Sequence, residues 1–233
     1  IKNDKFNKLV LTKFNSQKIR LNIENQISYD SKIQQGLMKI LFVNKTTSLN
    51  YKLNENSINF STEGQKNQYN GFIEFKPFYL KANFDYDGIS TKSWFNENSV
   101  LYNLIKSELF NNENLNINLN LKVKDIVNIN ELNNLFLNLV IESGDISFSD
   151  SNIMWKDDLK IYLSESLLNI DQNEIYLIGK IVIDIKDISD FYKSFQIKKN
   201  YRKKIKEIQF DFNYNFTQQK ISFNNFEIDN KPS

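Results

Sequence analysis

The chain contains no histidine and no cysteine among its 233 residues. Without histidine there is no imidazole acid or base, no Ser-His-Asp triad and no histidine-bound zinc. Without cysteine there is no disulfide, no thiolate nucleophile and no cysteine-bound metal, and either a reducing or an oxidising compartment suits the chain. We therefore expect a protein that is not an enzyme and that uses no catalytic residue, metal or cofactor.

Glycine and proline are also scarce, with 6 and 2 residues respectively. Turns must therefore be formed mainly by clusters of asparagine, aspartate, serine and lysine. Such clusters predict turns at residues 45–47, 54–56, 63–67, 85–88, 143–145, 171–173 and 217–219. Many of the clusters are separated by strand-sized runs, which is the spacing of strands in a meander.

Long apolar runs are missing as well. No stretch approaches the roughly 20 apolar residues that a membrane-spanning helix requires, and no basic-then-apolar leader is present. The chain starts at Ile1 rather than at methionine, and we expect it to be part of a longer protein. Any membrane anchor would then lie outside this segment.

Two-residue alternation of apolar and polar side chains is the dominant pattern. Residues 115–123 alternate strictly, and weaker versions occur at 19–23, 78–86, 181–185 and 208–216. Alternation places the apolar side chains on one face of a strand. We predict a mainly β protein, a long antiparallel meander of a dozen or more strands with one apolar face. Because open twisted sheets rarely exceed about ten strands, we expect the sheet to curl into a trough or groove.

The predicted organisation is a single elongated β domain over residues 1–233, with possible sub-units at about 1–110 and 111–233. Separately, Lys-Asp-Ile ends a strand pattern twice, at 124–126 and at 186–188, and each copy is followed by a short helix-like stretch and another strand, which indicates duplicated units.

Two short amphipathic helices are predicted. At 98–110, Leu101, Leu104, Ile105 and Leu109 share one helical face, which we expect to cap one end of the sheet. At 189–195, about two helical turns precede a basic segment.

The net charge is only +2, but basic residues cluster at 198–206. Three interpretations are open: a solvated linker that protects a strand edge from aggregation, a surface for anionic lipid headgroups, and a nucleic-acid surface. We favour the first two and expect no nucleic-acid partner.

An enzyme without histidine or cysteine would depend on carboxylates. The candidate pairs are Asp157 with Asp158, Asp184 with Asp187, and Asp85 with Asp87. Paired carboxylates suit glycosidase-type acid/base chemistry. Positions in turns or on polar strand faces account for these acidic residues without any catalytic role. No phosphate loop, Gly-x-Ser-x-Gly motif or metal-ligand spacing accompanies them. A carboxylate enzyme is therefore the least favoured function class.

Several segments together resemble the AsmA-like family of bacterial envelope proteins. They are 70–78 (Asn-Gly-Phe-Ile-Glu-Phe-Lys-Pro-Phe), 115–123, 135–146, 175–180, 208–212 and 221–223, and the resemblance covers roughly residues 57–230. It implies a periplasmic protein anchored in the inner membrane, whose sheet forms an elongated apolar groove for lipid. It brings no catalytic signature, and we expect the family's N-terminal anchor to lie upstream of this chain.

The leading hypothesis is a non-enzymatic protein that conducts phospholipid or another acyl-chain lipid between the inner and outer membranes, with other envelope proteins as candidate partners. The lipid-contacting residues would be Leu115, Ile117, Leu119, Leu121, Val123, Leu135, Leu137, Leu139, Ile141, Ile175, Leu177, Ile181, Ile183 and Ile185. Headgroups would contact Lys199, Arg202 and Lys203. The alternative is a structural or adhesion-type envelope β domain with a closed core and no lipid ligand, which two sheet faces packed about 10 Å apart would indicate.

Overall fold

The sheet follows the chain strand by strand. The structure, a computed structural model, describes residues 8–16, 21–30, 33–42, 45–62, 68–90, 105, 109–172 and 174–232. Sixteen strands are described, and nearly every one is hydrogen-bonded in antiparallel sense to the next along the chain. The predicted fold class, a mainly β antiparallel meander of a dozen or more strands, is confirmed.

By its internal contacts the chain divides into two units, Ile1–Asp85 and Tyr86–Ser233. The division falls within a strand.

The first unit is a series of consecutive hairpins. Its strands are β1 (Lys8–Ser16), β2 (Leu21–Asp30), β3 (Ile33–Phe42), β4 (Lys45–Leu53), β5 (Ser57–Ser61), β6 (Gln68–Phe75) and β7 (Phe78–Ile89), which runs on into the second unit. Direct cross-strand partners share a face of the sheet. The register therefore assembles one apolar face from alternate residues, in the pairs Ile23–Ile40, Met38–Leu49, Tyr51–Phe60, Ile58–Ile73 and Ile73–Leu80.

Nine further strands form most of the second unit. They are β8 (Asn116–Ile126), β9 (Leu132–Glu142), β10 (Asp145–Ser147), β11 (Asn152–Trp155), β12 (Leu159–Asp171), β13 (Glu174–Ile185), β14 (Glu207–Asn215), β15 (Lys220–Ile228) and β16 (Lys231–Pro232). The short strands β10 and β11 each pair with both β9 and β12, so they share one place in the sheet.

Between the end of β10 and the start of β11, serine hydroxyls accept backbone N–H groups of β9 and β12. The backbone N–H of Ser166 donates to Oγ of Ser149 (3.0 Å), and the backbone N–H of Asn138 donates to Oγ of Ser151 (2.9 Å). Ser151 and Ser166 are buried. Buried backbone groups need partners, and these hydroxyls supply them where strand pairing does not.

Several predicted turns lie at strand ends, and two are wrong. The clusters at 54–56, 143–145 and 217–219 separate strands as predicted, whereas 45–47 belongs to β4 and 85–88 belongs to β7. Thr46 and Thr47 are polar, but they fit a strand and pair with β3. Residues 63–67 and 173 lie outside the described part of the chain.

One α-helix is described over its full length, α1 (Ser189–Ser194), at the position of the second predicted helix. Oδ1 of Asp187 accepts the backbone N–H of Ser189, the first residue of α1, at 2.8 Å. A 3₁₀ turn at Lys199–Tyr201 follows, and another at Leu109–Asn111 precedes β8.

Most of the first predicted helix lies outside the described residues, including Leu101, Leu104 and the side chain of Leu109. Of the four residues on its predicted apolar face, Ile105 is described; it is helical and 4% exposed.

Candidate functional site

One face of the second unit carries the residues predicted to contact lipid. The register pairs Ile117 with Ile141, Leu119 with Leu139, Leu121 with Leu137 and Val123 with Leu135. It continues from Ile141 through Ile146 and Leu168 to Leu177 on β13. Thirteen of the fourteen predicted residues therefore share one face, which we call the apolar face; Leu115 immediately precedes β8, two residues before Ile117.

The apolar face also extends over β12 and β14, which the sequence did not predict. Cross-strand pairing adds Ile161, Leu163, Leu168, Ile208, Phe210 and Phe212 to this face. Alternation at 208–216 indicates the strand but does not specify its neighbour. Only the register shows that these side chains extend the face.

The apolar face is covered unevenly. The buried residues of this face include six of the predicted residues, Ile117, Leu121, Val123, Leu139, Ile141 and Ile175, together with Ile146, Leu159, Leu168 and Phe212. Half-buried residues of the same face include Leu119, Leu137, Ile181 and Ile183. On β15, which extends the face, Ile221 is 49% and Phe223 is 46% exposed. The face thus combines a packed part with a part that is accessible to solvent.

The opposite face of β8 is polar, and β9 adds Phe136 and Val140 to it. Nδ2 of Asn120 donates to Oδ1 of Asn118 (3.0 Å), and Asn120 opposes Asn138 on β9. On the same side of β12, burial raises the pKa of Tyr162, and the nearby charges of Asp184 and Glu207 raise it further. This contrast between the two faces is what the alternation at 115–123 predicts.

The first unit contains an apolar concavity that the sequence analysis did not identify. It has a volume of about 400 Å³ and is lined by Asn25, Ile27, Met38, Leu49, Tyr51, Leu53, Ile58, Phe60 and Ile73. The hydroxyl of Tyr51 donates to Oδ1 of Asn25 at 2.7 Å, so the amide oxygen in this apolar lining has a partner. Pockets for small ligands have volumes of about 300–1,000 Å³. The concavity therefore has the size and the chemistry to hold part of an acyl chain.

At one end of the apolar face, α1 packs against Trp155. Trp155 opposes Leu159, which opposes Ile185, so the three side chains lie on the same face. The rings of Trp155 and Phe191 meet edge-on with centroids 5.7 Å apart. Nζ of Lys156 lies 4.6 Å from the centroid of the Trp155 ring, within reach of a cation–π interaction.

The connection between β13 and β14, residues 186–206, contains the predicted headgroup residues. It borders a concavity of about 580 Å³ lined by Ile185, Lys186, Asp187, Ile188, Ser189, Tyr192, Arg202, Lys203, Lys204, Ile205 and Lys206. Arg202 and Lys203 are therefore brought together, whereas Lys199 lies in the 3₁₀ turn and is not among the lining residues. We call this surface the basic concavity.

Local bonds hold the basic concavity in shape. The hydroxyl of Tyr192 donates to the carbonyl of Lys203 (2.7 Å) and accepts the backbone N–H of the same residue (3.2 Å). Nε of Arg202 donates to the carbonyl of Ile197 (2.8 Å). These bonds fix the backbone on which the basic side chains are carried.

Three carboxylates in or beside the connection are bonded and have lowered pKa values. The Lys193 ammonium, 2.8 Å away, lowers the pKa of Asp190 by hydrogen bonding and by its charge. Hydrogen bonds from the Ser189 hydroxyl and backbone lower the pKa of Asp187. Backbone N–H groups of Lys206 and Glu207 lower the pKa of Asp229.

The six carboxylates considered for catalysis lie on strands, in the turn between β11 and β12, or just before α1. Asp184 is exposed and opposes Lys160, Asp187 binds the start of α1, and Asp157 is exposed in the turn between β11 and β12. Within the described ranges, no group of three or more acidic residues is placed to hold a metal ion. In that same part of the chain, no helix has the length and apolar character to cross a membrane.

Comparison of the chain with protein-family models, with curated proteins and with solved structures finds no match. The geometry of the sheet and of its basic connection is therefore what bears on function.

Proposed function

We propose that this chain binds the acyl chains of phospholipid, or of another acyl-chain lipid, along its apolar face and conducts lipid between the inner and outer membranes. In this proposal it is a non-enzymatic periplasmic protein, anchored in the inner membrane through a segment outside the chain, as its resemblance to AsmA-like proteins implies. The observation that carries the proposal is the register, which places thirteen of the fourteen predicted residues on one face.

Partial exposure of that face supports the proposal. An apolar sheet face has to be covered by a second sheet, by helices or by a ligand. The helix described over its full length, α1, has six residues and packs at one end of the face. Leu119, Ile181 and Ile183 are only half-buried, so a ligand would remove further apolar surface from water.

The energetics of acyl chains suit passage along such a face. Removing a chain of about sixteen methylenes from water is worth about 13 kcal/mol, at about 0.8 kcal/mol per methylene. Transfer from a bilayer to an equally apolar protein surface involves little net change in free energy. An accessible apolar face therefore favours movement of lipid over storage, and the concavity of the first unit is a second surface of the same chemistry.

A second candidate function is a structural or adhesion-type β domain with a closed core. Ile141 and Ile175 favour it, because at 1% exposure they are packed like ordinary core residues. The two candidates differ over the half-buried residues. In a lipid conduit these side chains contact acyl chains, and in a structural domain they contact only protein and water.

Site-specific photo-crosslinking distinguishes the two candidates. Neighbouring residues of a strand lie on opposite faces, so Leu119 and Ile183 have matched controls in Asn120 and Asp184. Each position is replaced in turn by a photo-reactive amino acid in the full-length protein in cells, and adducts are identified by mass spectrometry. We expect phospholipid adducts at positions 119 and 183 and none at 120 and 184. Absence of lipid from all four positions, or equal labelling of both faces, would contradict the proposed function.

A further inference from the structure

The connection 186–206 differs from the rest of the chain in charge. Of its 21 residues eight are basic and two are acidic, a net charge of +6, whereas the whole chain carries +2. The remainder of the chain therefore has a net charge of −4. The positive charge is concentrated at the end of the apolar face where α1 and Trp155 lie.

One acidic residue, Asp187, lines the basic concavity, against the five basic residues Lys186, Arg202, Lys203, Lys204 and Lys206. Asp190 is paired with Lys193, and Asp187 accepts the backbone N–H of Ser189. Within the part of the chain that the structure describes, Lys203 and Lys204 form no ion pair. An anion from outside the chain is the complement that this surface requires.

Exposed aromatic rings accompany these charges. Phe195 is 59% exposed, and Tyr201, in the 3₁₀ turn, is 67% exposed. Aromatic side chains next to lysine and arginine are typical of protein surfaces that lie in the headgroup region of a bilayer. Nucleic-acid surfaces also combine these residue types, but here the rings continue into an apolar protein face.

That continuity is a chain of ring contacts. The ring centroids of Phe195 and Phe191 are 4.6 Å apart, and those of Phe191 and Trp155 are 5.7 Å apart. Trp155 belongs to the apolar face. An exposed ring among basic residues is thus connected to the face on which lipid is proposed to move.

We propose that the connection 186–206 docks this chain on an anionic bilayer. Lipid phosphate groups bind in the basic concavity beside Lys186, Arg202, Lys203 and Lys204, while Phe195 and Tyr201 insert between the headgroups. Passage of an acyl chain past Phe191 and Trp155 to the apolar face is a further step that rests on the proposed function. Docking itself does not depend on that step.

Vesicle co-sedimentation of the full chain tests the role of charge. The vesicles are phosphatidylcholine alone or phosphatidylcholine with about a third of phosphatidylglycerol, which carries the anionic charge. Lys203→Glu with Lys204→Glu leaves Arg202 and its bond to Ile197 in place. We expect this double variant to bind anionic vesicles at least about tenfold more weakly at about 0.1 M salt. The matched control is Lys122→Glu with Lys124→Glu, two exposed lysines of β8, and it retains binding.

Insertion is tested with a fluorophore, and the chain suits this because it has no cysteine. An environment-sensitive dye is attached to Tyr201→Cys or, as control, to Leu11→Cys, since Tyr201 and Leu11 are both 67% exposed. On anionic vesicles with spin-labelled lipids, we expect a blue shift and quenching at position 201 and neither at position 11.

The outcomes separate docking from lipid conduction. Equal vesicle binding by both double variants, or no quenching at position 201, overturns the docking proposal, even when lipid adducts form at Leu119. Loss of vesicle binding without lipid adducts at Leu119 leaves docking intact and contradicts conduction. Tighter binding of the unmodified chain to an RNA oligonucleotide than to anionic vesicles at the same salt also overturns docking on a bilayer.

Discussion

The ring of Tyr51 on β4 lies across Gly36 on β3, in the space where any other residue would have its Cβ. A Cβ on Gly36 would be 2.2 Å from Cζ of Tyr51 and 2.3 Å from its hydroxyl oxygen. The hydroxyl is held by Asn25 at 2.7 Å, and Tyr51 is 7% exposed. The ring cannot move aside without losing that bond, so glycine at position 36 allows β3 and β4 to pair beside the apolar concavity.

Gly36→Ala tests this relationship. We expect it to lower the free energy of unfolding by about 1–3 kcal/mol, because an extra methyl group in a packed site forces its neighbours to shift. Urea unfolding measures the change. Gly88→Ala is the control, since a Cβ there would lie 3.6 Å from the nearest atom, the carbonyl oxygen of Asp125. Equal effects of the two substitutions would show that Tyr51 does not restrict position 36.

Glu174 makes stability dependent on acid pH. Its carboxylate accepts hydrogen bonds from Tyr176, Gln218 and Asn215, which lower its pKa below the ordinary value of 4.5. A carboxylate with a lowered pKa contributes stability above the unfolded-state value, and the contribution is lost as the pH falls through the folded-state value.

Glu174→Gln therefore makes stability less sensitive to pH below about 4.5. The measurement is the free energy of unfolding of both proteins between neutral and acid pH. Glu113→Gln, an exposed residue in the turn before β8, serves as control and keeps the acid sensitivity of the original chain. If the free energy of unfolding changes with pH in the same way in Glu174→Gln and in the original chain, Glu174 is not the source of the acid sensitivity.

Asp229 holds the end of the basic connection. Its Oδ1 accepts the backbone N–H groups of Lys206 (2.8 Å) and Glu207 (3.0 Å), where β14 begins. We expect Asp229→Ala to speed the hydrogen exchange of these two amides, measured by NMR, while amides in the middle of β13 keep their protection. Asp229→Asn retains an acceptor oxygen and restores part of the protection. Unchanged exchange in Asp229→Ala would mean that other groups fix this strand end.

Phe191 fixes α1 on the apolar face through Trp155. With Trp94 replaced by phenylalanine, emission reports on Trp155 alone. We expect Phe191→Ala to shift this emission to the red and to cost about 1 kcal/mol, since an aromatic pair is lost. Tyr201→Ala, in the same connection but at a ring that is 67% exposed, leaves the emission unchanged. An unshifted emission spectrum in Phe191→Ala would show that α1 does not pack against Trp155 in solution.

Sequence patterns predict this sheet where alternation is strict and fail where pairing overrides a local signal. At 115–123 the alternation matches β8, and its odd-numbered apolar residues share one face. At 85–88, Asp-Tyr-Asp-Gly is a strong turn signal, yet β7 continues through it. Asp85 pairs with Gln68, and the carbonyl of Ile89 accepts the backbone N–H of Val127. A local propensity contains no information about such partners.

The candidate site shows the same limit. Periodicity indicates that Leu119 and Ile183 each lie on an apolar strand face, but only the register shows that the two share it. Lys186 is twelve residues before the basic cluster in sequence, yet it lines the same concavity, because β13 and β14 pair at Asp184 and Glu207. Their separation in sequence gives no indication that Lys186 and the basic cluster line the same concavity.

The meander has a consequence for how the second unit opens. Because each strand pairs mainly with its neighbours in sequence, most hairpins close over short loops and the entropy lost in closing them is small. Proteins whose elements contact only their neighbours can lose the outer elements while the others persist. We expect β15 and β16 to exchange their amide hydrogens first and β8 and β9 last, so that opening proceeds as a graded series from one edge. In such a protein the edge strands can open, where Phe223 and Phe226 are exposed, while the packing around Ile141 is retained.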